Sequence, residues 1–378
     1  MKKICFVTGT RADYGILAPV MSLVAKSPDA RLQVIATNMH LSHKFGQTIS
    51  EIEADGFKVD IKIDSLIEED SPQATVISMA RVEDGLAKAF SSLMPDIVVI
   101  LGDRYEALAA ASAAVVFNIP VAHLHGGETT EGAIDDKFRN AITQLSTWHF
   151  AATPRYAEKI ISMGIPADHV FHSGAPGAEV IELENEQQIA QDLFDKTGIN
   201  PYEPYIILAM HPVTTLPDKG IKELKETLNA LAPFTAKGYK VLATMPNSDP
   251  GHSEFFETIQ NWADGHKDNV KCVTSLGARL FHFAMDNAAA IIGNSSAALI
   301  EAPSHRLTAI NVGLRQKGRA HGITVLDVPA NADRIKRALD AALSLEMKSV
   351  AMGMSVEALN PYYKENSSQF IANKLLEL

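Results

Sequence analysis

The sequence predicts an α/β protein with two Rossmann-like domains, and two observations lead to this fold class. Short apolar runs rich in Val and Ile recur along the chain and alternate with longer amphipathic segments. Strands that are apolar throughout are typical of parallel sheets covered by helices on both faces. At 378 residues the chain is also too long for a single ordinary core, so we expect two domains.

Nine of these apolar runs are predicted as strands, in two groups. The first group comprises residues 3–8, 32–37, 96–101 and 120–125, and the second comprises residues 205–210, 240–245, 270–275, 288–293 and 308–312. Gly and Pro punctuate residues 172–204 between the groups, which is typical of a connection between domains. We therefore predict a first domain over residues 1–174, a second over residues 175–355, and a cleft between them. Residues 356–378 are predicted to form a terminal helix that packs back on the first domain.

Composition and charge exclude several classes of protein. The net charge is -11 and no block of Lys and Arg tracks a phosphate backbone, so nucleic acid is not an expected partner. The two cysteines, Cys5 and Cys272, match neither a disulfide framework nor a zinc site, which fits a reducing cytosol. No apolar run approaches the roughly 20 residues of a membrane span, and the first run is too short for a signal peptide. We expect a soluble cytoplasmic protein without a membrane partner.

Polar residues follow the predicted strands, at the sheet edge where ligands of open α/β sheets bind. The first of these loops, TGTRADYG, lacks the spacing of a dinucleotide fingerprint or a Walker A loop. Arg11 is a candidate for seating an anion at a helix N-terminus, with Asp13 beside it. The alternative is that Arg11 is a solvated charge and Asp13 a helix cap, and the loop alone does not decide. Residues 38–46 add His40 and His43 as a loose pair.

Two later loops carry carboxylates. The third predicted strand ends in LGDR, where Asp103 would be a helix cap if read in isolation. The fourth is followed by HGGETTEGAIDD, which contains Glu128, Asp135 and Asp136. Because neighbouring parallel strands present their carboxyl ends at one sheet edge, we expect the two loops to aim carboxylates into one cleft.

The segment after the paired acids has helical spacing. Arg139 lies one turn beyond Asp135, while the acids themselves would equally complement the helix dipole. The apolar positions predicted to face the core are Ile134, Phe138, Ala141, Ile142 and Leu145.

Histidines on the fourth predicted strand raise the question of a metal. His123 and His125 alternate on one strand face, but neither an HExxH motif nor a cysteine pair accompanies them. We therefore predict no metal site and no cofactor, and expect structural or substrate contacts from these residues.

The strand-end loops of the second domain suit an anion. His211 ends the first strand, and Asn294, Ser295 and Ser296 precede an apolar helix that carries Glu301. Free N–H groups and hydroxyls at a helix N-terminus fit a diphosphate, although a Ser N-cap is the ordinary alternative. Another strand is followed by the basic residues Arg315, Lys317 and Arg319.

In this order, the loops resemble those of the UDP-N-acetylglucosamine 2-epimerase superfamily, specifically its hydrolysing branch. The resemblance spans nearly the whole chain and is carried by TGTRADYG, GDRYEALA, HGGE with IDDKFRNAIT, HPVTT, PNSDPG, IGNSSAALIEAPS and INVGLRQKGR. It implies a glycosyltransferase-B-like (GT-B-like) fold that closes on a UDP-sugar. It also implies elimination of UDP to a 2-acetamidoglucal and addition of water to give N-acetylmannosamine, a sialic-acid precursor.

The resemblance also implies roles for individual residues. The acid and base candidates are Asp103, Glu128 and Asp135, supported by Asp136 and Arg139. The groups implied at the UDP end and around the substrate are Arg11, Asp13, His40, Arg104, His211, Asn294, Ser295, Ser296, Glu301 and Arg315. Members of the superfamily are commonly homodimers or homotetramers, which is the assembly we expect here.

Substrate and class alternatives remain at this stage. Relatives commonly read RHAITK or RHSITK where this chain has RNAITQ, so Asn140 and Gln144 replace an imidazole and an ammonium. This departure leaves UDP-2,4-diacetamido-2,4,6-trideoxyglucose, a legionaminic acid precursor, as a rival substrate. Rivals from other classes are a GT-B glycosyltransferase, which requires an acceptor, and a nucleotide-sugar sensor, which binds without releasing UDP.

Overall fold

The computed structural model describes residues 1–180 and 185–378, and within these the chain forms two compact units. Unit 1 comprises Met1–Thr129, Ile134–Gly177 and Lys364–Leu378, and unit 2 comprises Thr130–Ala133 and the described part of Ala178–Tyr363. Each unit contains its own parallel sheet covered by helices, as the sequence predicts. Residues 181–184, within the predicted interdomain connection, lie outside the described residues.

Unit 1 alternates strands and helices along the chain. Its strands are β1 (Lys2–Thr8), β2 (Ala30–Thr37), β3 (Ile61–Ile63), β4 (Ile97–Leu101), β5 (Val121–Leu124), β6 (Trp148–Ala151) and β7 (Val170–His172). Its helices are α1 (Arg11–Lys26), α2 (Ile49–Ala54), α3 (Pro72–Leu93), α4 (Tyr105–Val116), α5 (Asp135–Leu145), α6 (Pro154–Ser162) and the C-terminal α15 (Ser367–Glu377). A 3-10 turn over Asn38–Leu41 follows β2.

The unit 1 sheet has the strand order β3-β2-β1-β4-β5-β6-β7, with every pair parallel. The order reverses between β1 and β4, whose registers pair Ile4 with Ile97. A reversal of this kind opens a crevice beyond the carboxyl ends of the two strands. The loops after β1, β4 and β5 therefore emerge at one edge of the sheet.

The C-terminal helix α15 packs on α1 within unit 1, as the sequence predicts, but it begins at Ser367, and residues 356–363 belong to unit 2. Its buried residues Ile371, Ala372 and Leu375 join the core cluster that contains Leu17 and Val20 of α1. Lys2 at the other end of the chain donates to the Leu376 carbonyl over 3.0 Å. Both ends of the chain are thus fixed in the same unit.

Unit 2 contains six strands and eight helices among its described residues. The strands are β8 (Tyr205–Ala209), β9 (Lys240–Thr244), β10 (Val270–Val273), β11 (Ala290–Gly293), β12 (Ala309–Val312) and β13 (Val325–Val328). The helices are α7 (Glu186–Thr197), α8 (Ile221–Thr235), α9 (His252–Asp264), α10 (Ala278–Asn287), α11 (Ala297–Ile300), α12 (Ala332–Ala342), α13 (Leu345–Gly353) and α14 (Val356–Leu359).

The unit 2 sheet has the order β10-β9-β8-β11-β12-β13, again with all pairs parallel. The order reverses between β8 and β11, so the loops that carry His211 and Asn294 emerge side by side. All nine predicted strands are present. Four strands were not predicted from the sequence, namely β3, β6, β7 and β13.

Candidate active site

A buried arginine joins two acidic loops of unit 1. Arg139 of α5 is only 1% exposed, and its Nη2 donates to Asp103 Oδ2 in the turn after β4. Its Nη1 lies 3.4 Å from Asp136 Oδ1 on the same helix. The Asp103 and Asp136 side chains keep 22% and 26% of their surface exposed. Two carboxylates from neighbouring strand ends are thus held by one guanidinium while remaining accessible.

Asp103 does not cap the following helix. The N-cap of α4 is Arg104, which makes no side-chain capping bond, and Gly102 before Asp103 has a φ of +81°. His123 of β5 fixes this turn, because its ring Nε2 lies 2.7 Å from the Gly102 carbonyl and donates to it. Burial lowers the pKa of His123 to about 3, so the ring stays neutral and has a structural role.

Arg104 pairs with a carboxylate that the sequence analysis did not single out. Its Nε donates to Glu106 Oε1 over 2.6 Å, and Glu106 is 3% exposed. Burial raises the pKa of Glu106, against the opposing effect of Arg104. A Cβ on Gly9 would come within 2.6 Å of Glu106 Cγ, so the loop after β1 packs directly on this pair. The EALA segment of GDRYEALA was the available signal, although Glu106 there looks like an ordinary helix residue.

In the loop after β1, Asp13 completes the N-terminal capping box of α1, whose N-cap is Thr10. The Asp13 carboxylate accepts hydrogen bonds from the Gly9 and Thr10 backbone N–H groups, at 2.9 and 2.7 Å. His40 is fully buried, with one ring nitrogen 2.9 Å from Thr8 Oγ1 and the other 2.8 Å from Thr48 Oγ1. Asp13 and His40 therefore form hydrogen bonds within the fold. A contact of either residue with a substrate stays a prediction.

Arg11 opens α1 and is half-buried. Burial lowers its pKa to about 10, which leaves the guanidinium charged at neutral pH. It lies at the same sheet edge as Arg104, because β1 and β4 are adjacent parallel strands.

Glu128 lies in the β5–α5 connection and is fully buried. Its Oε1 is 2.6 Å from Nδ1 of His125, and its carbonyl accepts from Lys159 Nζ of α6 over 3.0 Å. Gly127 has a φ of +75° and lies so close to the Tyr156 carbonyl that a Cβ would approach it to 2.6 Å. Only glycine fits this turn, which places Glu128 under α6.

Helix α5 begins at Asp135, which is half-buried in the first turn. The residues that α5 buries are Arg139, Ile142 and Thr143. The predicted apolar face is therefore wrong in part: Ala141 is exposed, because the helix turns Arg139 inward to meet Asp103. Gln144, which stands where relatives commonly have lysine, is exposed and donates to the Met163 carbonyl over 2.9 Å. This difference from the relatives therefore lies on the surface.

In unit 2, Asn294 joins the two strand ends at the reversal of the sheet. Its side chain accepts from the His211 backbone N–H over 2.7 Å and donates to the His211 carbonyl over 2.8 Å. Gly293 before it has a φ of +146°, and a Cβ there would lie 1.9 Å from the Ala209 carbonyl oxygen. The strands approach so closely that this position requires glycine. The His211 backbone is therefore held in place by the Asn294 side chain.

Arg315 and Gln316 reach the same turn from the loop after β12. Both donate to the Asn294 carbonyl, Arg315 Nη1 over 3.2 Å and Gln316 Nε2 over 2.8 Å. Arg315 Nη2 is also 3.9 Å from Asp249 Oδ2. The guanidinium therefore lies beside the His211–Asn294 pair, where a phosphate oxygen would meet a positive charge.

Ser295 and Ser296 are half-buried beside Asn294. The Ser295 hydroxyl accepts from the Ala297 N–H over 3.4 Å, whereas Ser296 makes no side-chain capping bond. Helix α11 is a single turn of four residues, so its dipole contributes less than the longer predicted helix would. Burial raises the pKa of Glu301, at the end of this turn, to about 7.

The described part of the chain contains neither a metal-ligating cluster nor a membrane-spanning helix. No cluster of three or more His, Cys, Asp or Glu side chains within residues 1–180 and 185–378 has an arrangement suited to a metal ion. Over the same residues, no helix combines the length and the apolar character that a membrane span needs.

The fold matches that of solved nucleotide-sugar epimerases. The crystal structure of UDP-GlcNAc 2-epimerase from Neisseria meningitidis bound to UDP-GlcNAc superposes with a TM-score of 0.80 over 100% of both chains. Sequence identity is 20%, so this likeness concerns the GT-B-like fold alone.

The sequence comparisons are more specific. The chain is 37% identical over 91% of its length to the UDP-N,N'-diacetylbacillosamine 2-epimerase (hydrolyzing) of Legionella pneumophila, covering 89% of that protein. It is 34% identical over 87% of its length to the GDP/UDP-N,N'-diacetylbacillosamine 2-epimerase (hydrolyzing) of Campylobacter jejuni, covering 85% of it. The sequence model of the UDP-N-acetylglucosamine 2-epimerases matches residues 23–376. The chain therefore belongs to the UDP-N-acetylglucosamine 2-epimerase family.

Proposed function

We propose that this protein is a hydrolysing UDP-sugar 2-epimerase. It would eliminate UDP from a UDP-2-acetamido sugar and add water to the resulting glycal, with inversion at C2. The observation that carries the proposal is the acidic group of unit 1. Asp103 and Asp136 share the buried Arg139, and Glu128 and Asp135 lie along the connection between β5 and α5. Removing a proton from C2 requires a positioned base, and adding water requires an acid and a base. Several carboxylates around one sugar ring fit both steps.

The groups in unit 2 suit the leaving UDP. We assign the diphosphate to His211, Ser295, Ser296 and Arg315, which surround the Asn294 turn. Hydrogen-bond donors and a cation on the diphosphate oxygens stabilise the negative charge that develops when the bond to C1 breaks. Glu301 is assigned to the ribose hydroxyls, and Arg11 and Arg104 of unit 1 to the nucleotide end of the substrate.

Two sugars are candidates for the substrate. The relatives at 37% and 34% identity both carry N,N'-diacetylbacillosamine in their names, which supports UDP-2,4-diacetamido-2,4,6-trideoxyglucose as the first candidate. UDP-N-acetylglucosamine, which would give N-acetylmannosamine for sialic acid synthesis, is the second, supported by the family match. The two sugars differ at C4 and C6. A protein group that hydrogen-bonds the 4-acetamido group loses that partner when UDP-N-acetylglucosamine binds instead.

Proton NMR in deuterated water with each UDP-sugar tests the proposal. We expect UDP release without any acceptor, and deuterium at C2 of the free 2-acetamido sugar, because the proton added at C2 comes from solvent. A glycosyltransferase would release UDP only with an acceptor, and a sensor would bind without releasing UDP. Faster turnover of UDP-N-acetylglucosamine than of the diacetamido sugar would reverse the substrate assignment. Size-exclusion chromatography tests the expected homodimer or homotetramer.

A further inference from the structure

His125 and Glu128 form a buried imidazole–carboxylate pair beside the acidic group. His125 Nδ1 lies 2.6 Å from Glu128 Oε1, and the two side chains are 6% and 0% exposed. An ionised carboxylate only accepts hydrogen bonds, so Nδ1 carries the proton in this contact. The lone pair of the imidazole is then on Nε2, the nitrogen that points away from Glu128.

The Nε2 atom has no use within the fold. It is buried, and it makes no hydrogen bond to any of the described residues. Buried ring nitrogens are almost always partnered, so an exception at the end of a central strand indicates an atom supplied by a ligand. Of the two side chains, only His125 keeps any exposed surface, and Glu128 Oε1 is occupied by its contact with Nδ1. Nε2 is therefore the atom of the pair that is left to accept a substrate proton.

The backbone around His125 is arranged to hold the ring in place. His125 follows β5 directly, and its N–H donates to the Phe150 carbonyl of β6 over 3.1 Å. Its φ is +62°, a left-handed conformation that non-glycine residues rarely adopt. Left-handed residues that the surrounding structure maintains cluster at functional sites. The side chain is thus aimed by the backbone on one side and by Glu128 on the other.

We propose that His125 is the catalytic base that removes the C2 proton, and that Glu128 is the residue that positions it. The inference rests on the proposed function. Nε2 takes the proton, and the electron pair of the C2–H bond becomes the second bond between C1 and C2. The bond from C1 to the phosphate oxygen breaks, and its electron pair leaves with UDP. The Glu128 carboxylate stabilises the imidazolium, which then returns its proton to water.

His125→Asn separates this role from a purely positioning one. The Asn side-chain amide can replace Nδ1 as the donor to Glu128, and Asn tolerates a left-handed backbone, but it provides no base. We expect kcat to fall about 10²–10⁴-fold with UDP affinity unchanged. We also expect a larger kinetic isotope effect with substrate deuterated at C2, because cleavage of that bond becomes the slow step.

Each result has a definite meaning. A His125→Asn enzyme with kcat within threefold of wild type would overturn the assignment and leave His125 as a positioning residue for Glu128. A large loss of kcat with no increase in the isotope effect would overturn it too, since the defect would lie outside proton transfer. Thermal unfolding and circular dichroism verify that the variant is folded. If wild-type protein released no UDP from either sugar, the proposed function itself would fail, which is a different outcome.

Discussion

Asp103 and Arg139, 36 residues apart in the sequence, form a hydrogen-bonded ion pair that joins the turn after β4 to helix α5. The guanidinium is fully buried, whereas the carboxylate keeps 22% of its surface exposed. Arg139 is therefore fixed by the surrounding core, and the Asp103 carboxylate remains accessible to a substrate.

Asp103→Asn tests the exposed end of this pair. If Asp103 takes part in proton transfer, we expect turnover to fall at least about 10²-fold, because an amide is neither an acid nor a base. UDP affinity, measured by calorimetry, should be unchanged because Asp103 is not among the residues that we assign to UDP. Full turnover by the variant would remove Asp103 from the mechanism.

Arg139→Met tests the buried end. The replacement leaves Asp103 and Asp136 as two carboxylates without their shared cation, so we expect the protein to lose on the order of 2 kcal/mol of stability. Arg155→Met, at an exposed position of α6, is the matched control and should change stability by less than about 0.5 kcal/mol. Urea unfolding followed by circular dichroism measures both. Equal stability of the two variants would contradict the structural role of Arg139.

Glu301 gives a prediction about UDP binding and pH. Burial raises its pKa to about 7, and only the ionised carboxylate accepts hydrogen bonds from both ribose hydroxyls. We expect the ratio of the UDP affinity of wild type to that of Glu301→Gln to increase as the pH rises from 6 to 8. The ratio is the informative quantity, because the terminal phosphate of UDP ionises with a pKa of about 6 and affects both proteins. A ratio that does not vary with pH would contradict the ribose assignment.

Glu223 gives a prediction about stability and pH. Burial in α8 raises its pKa from 4.5 to about 7, so the folded state holds a proton that the unfolded state has released. Its favourable contribution is fully present below about pH 4.5 and is lost as the pH rises through about 7. The Glu223→Gln protein should lose less stability between pH 5 and pH 8 than wild type, by about 1–3 kcal/mol. Glu254→Gln, on the exposed face of α9, is the control and should behave as wild type.

The sequence predicted the central strands because their apolar runs are continuous. The four missed strands are short or lie towards the sheet edges, where polar residues interrupt the pattern. The edge strands β3, β7 and β13 are partly exposed, and the last contains Asp327. Strand β6 contains His149, which is fully buried although histidine is not an apolar residue. Sheet position, and not local composition, determines these strands.

For the candidate site, the sequence predicts where the loops lie but not which side chains pair. Strand-end loops can be located from the sequence, so Asp103, Asp136 and His211 could be named as candidate site residues. Which group each side chain meets depends on contacts between distant segments, as in the pairing of Asp103 with Arg139 or of Arg104 with Glu106. The capping box that Asp13 forms with Thr10 was one alternative that the loop left open, and it rests on hydrogen bonds that the sequence does not show.

The return of α15 to unit 1 has a consequence for biosynthesis. Residues 364–378 are made after the whole of unit 2, so they are still absent when the other strands and helices of unit 1 have left the ribosome. The apolar surface of α1 that α15 covers therefore remains open to water until residues 364–378 have emerged. Unit 2 does not depend on residues 364–378, so it can complete its core before they emerge.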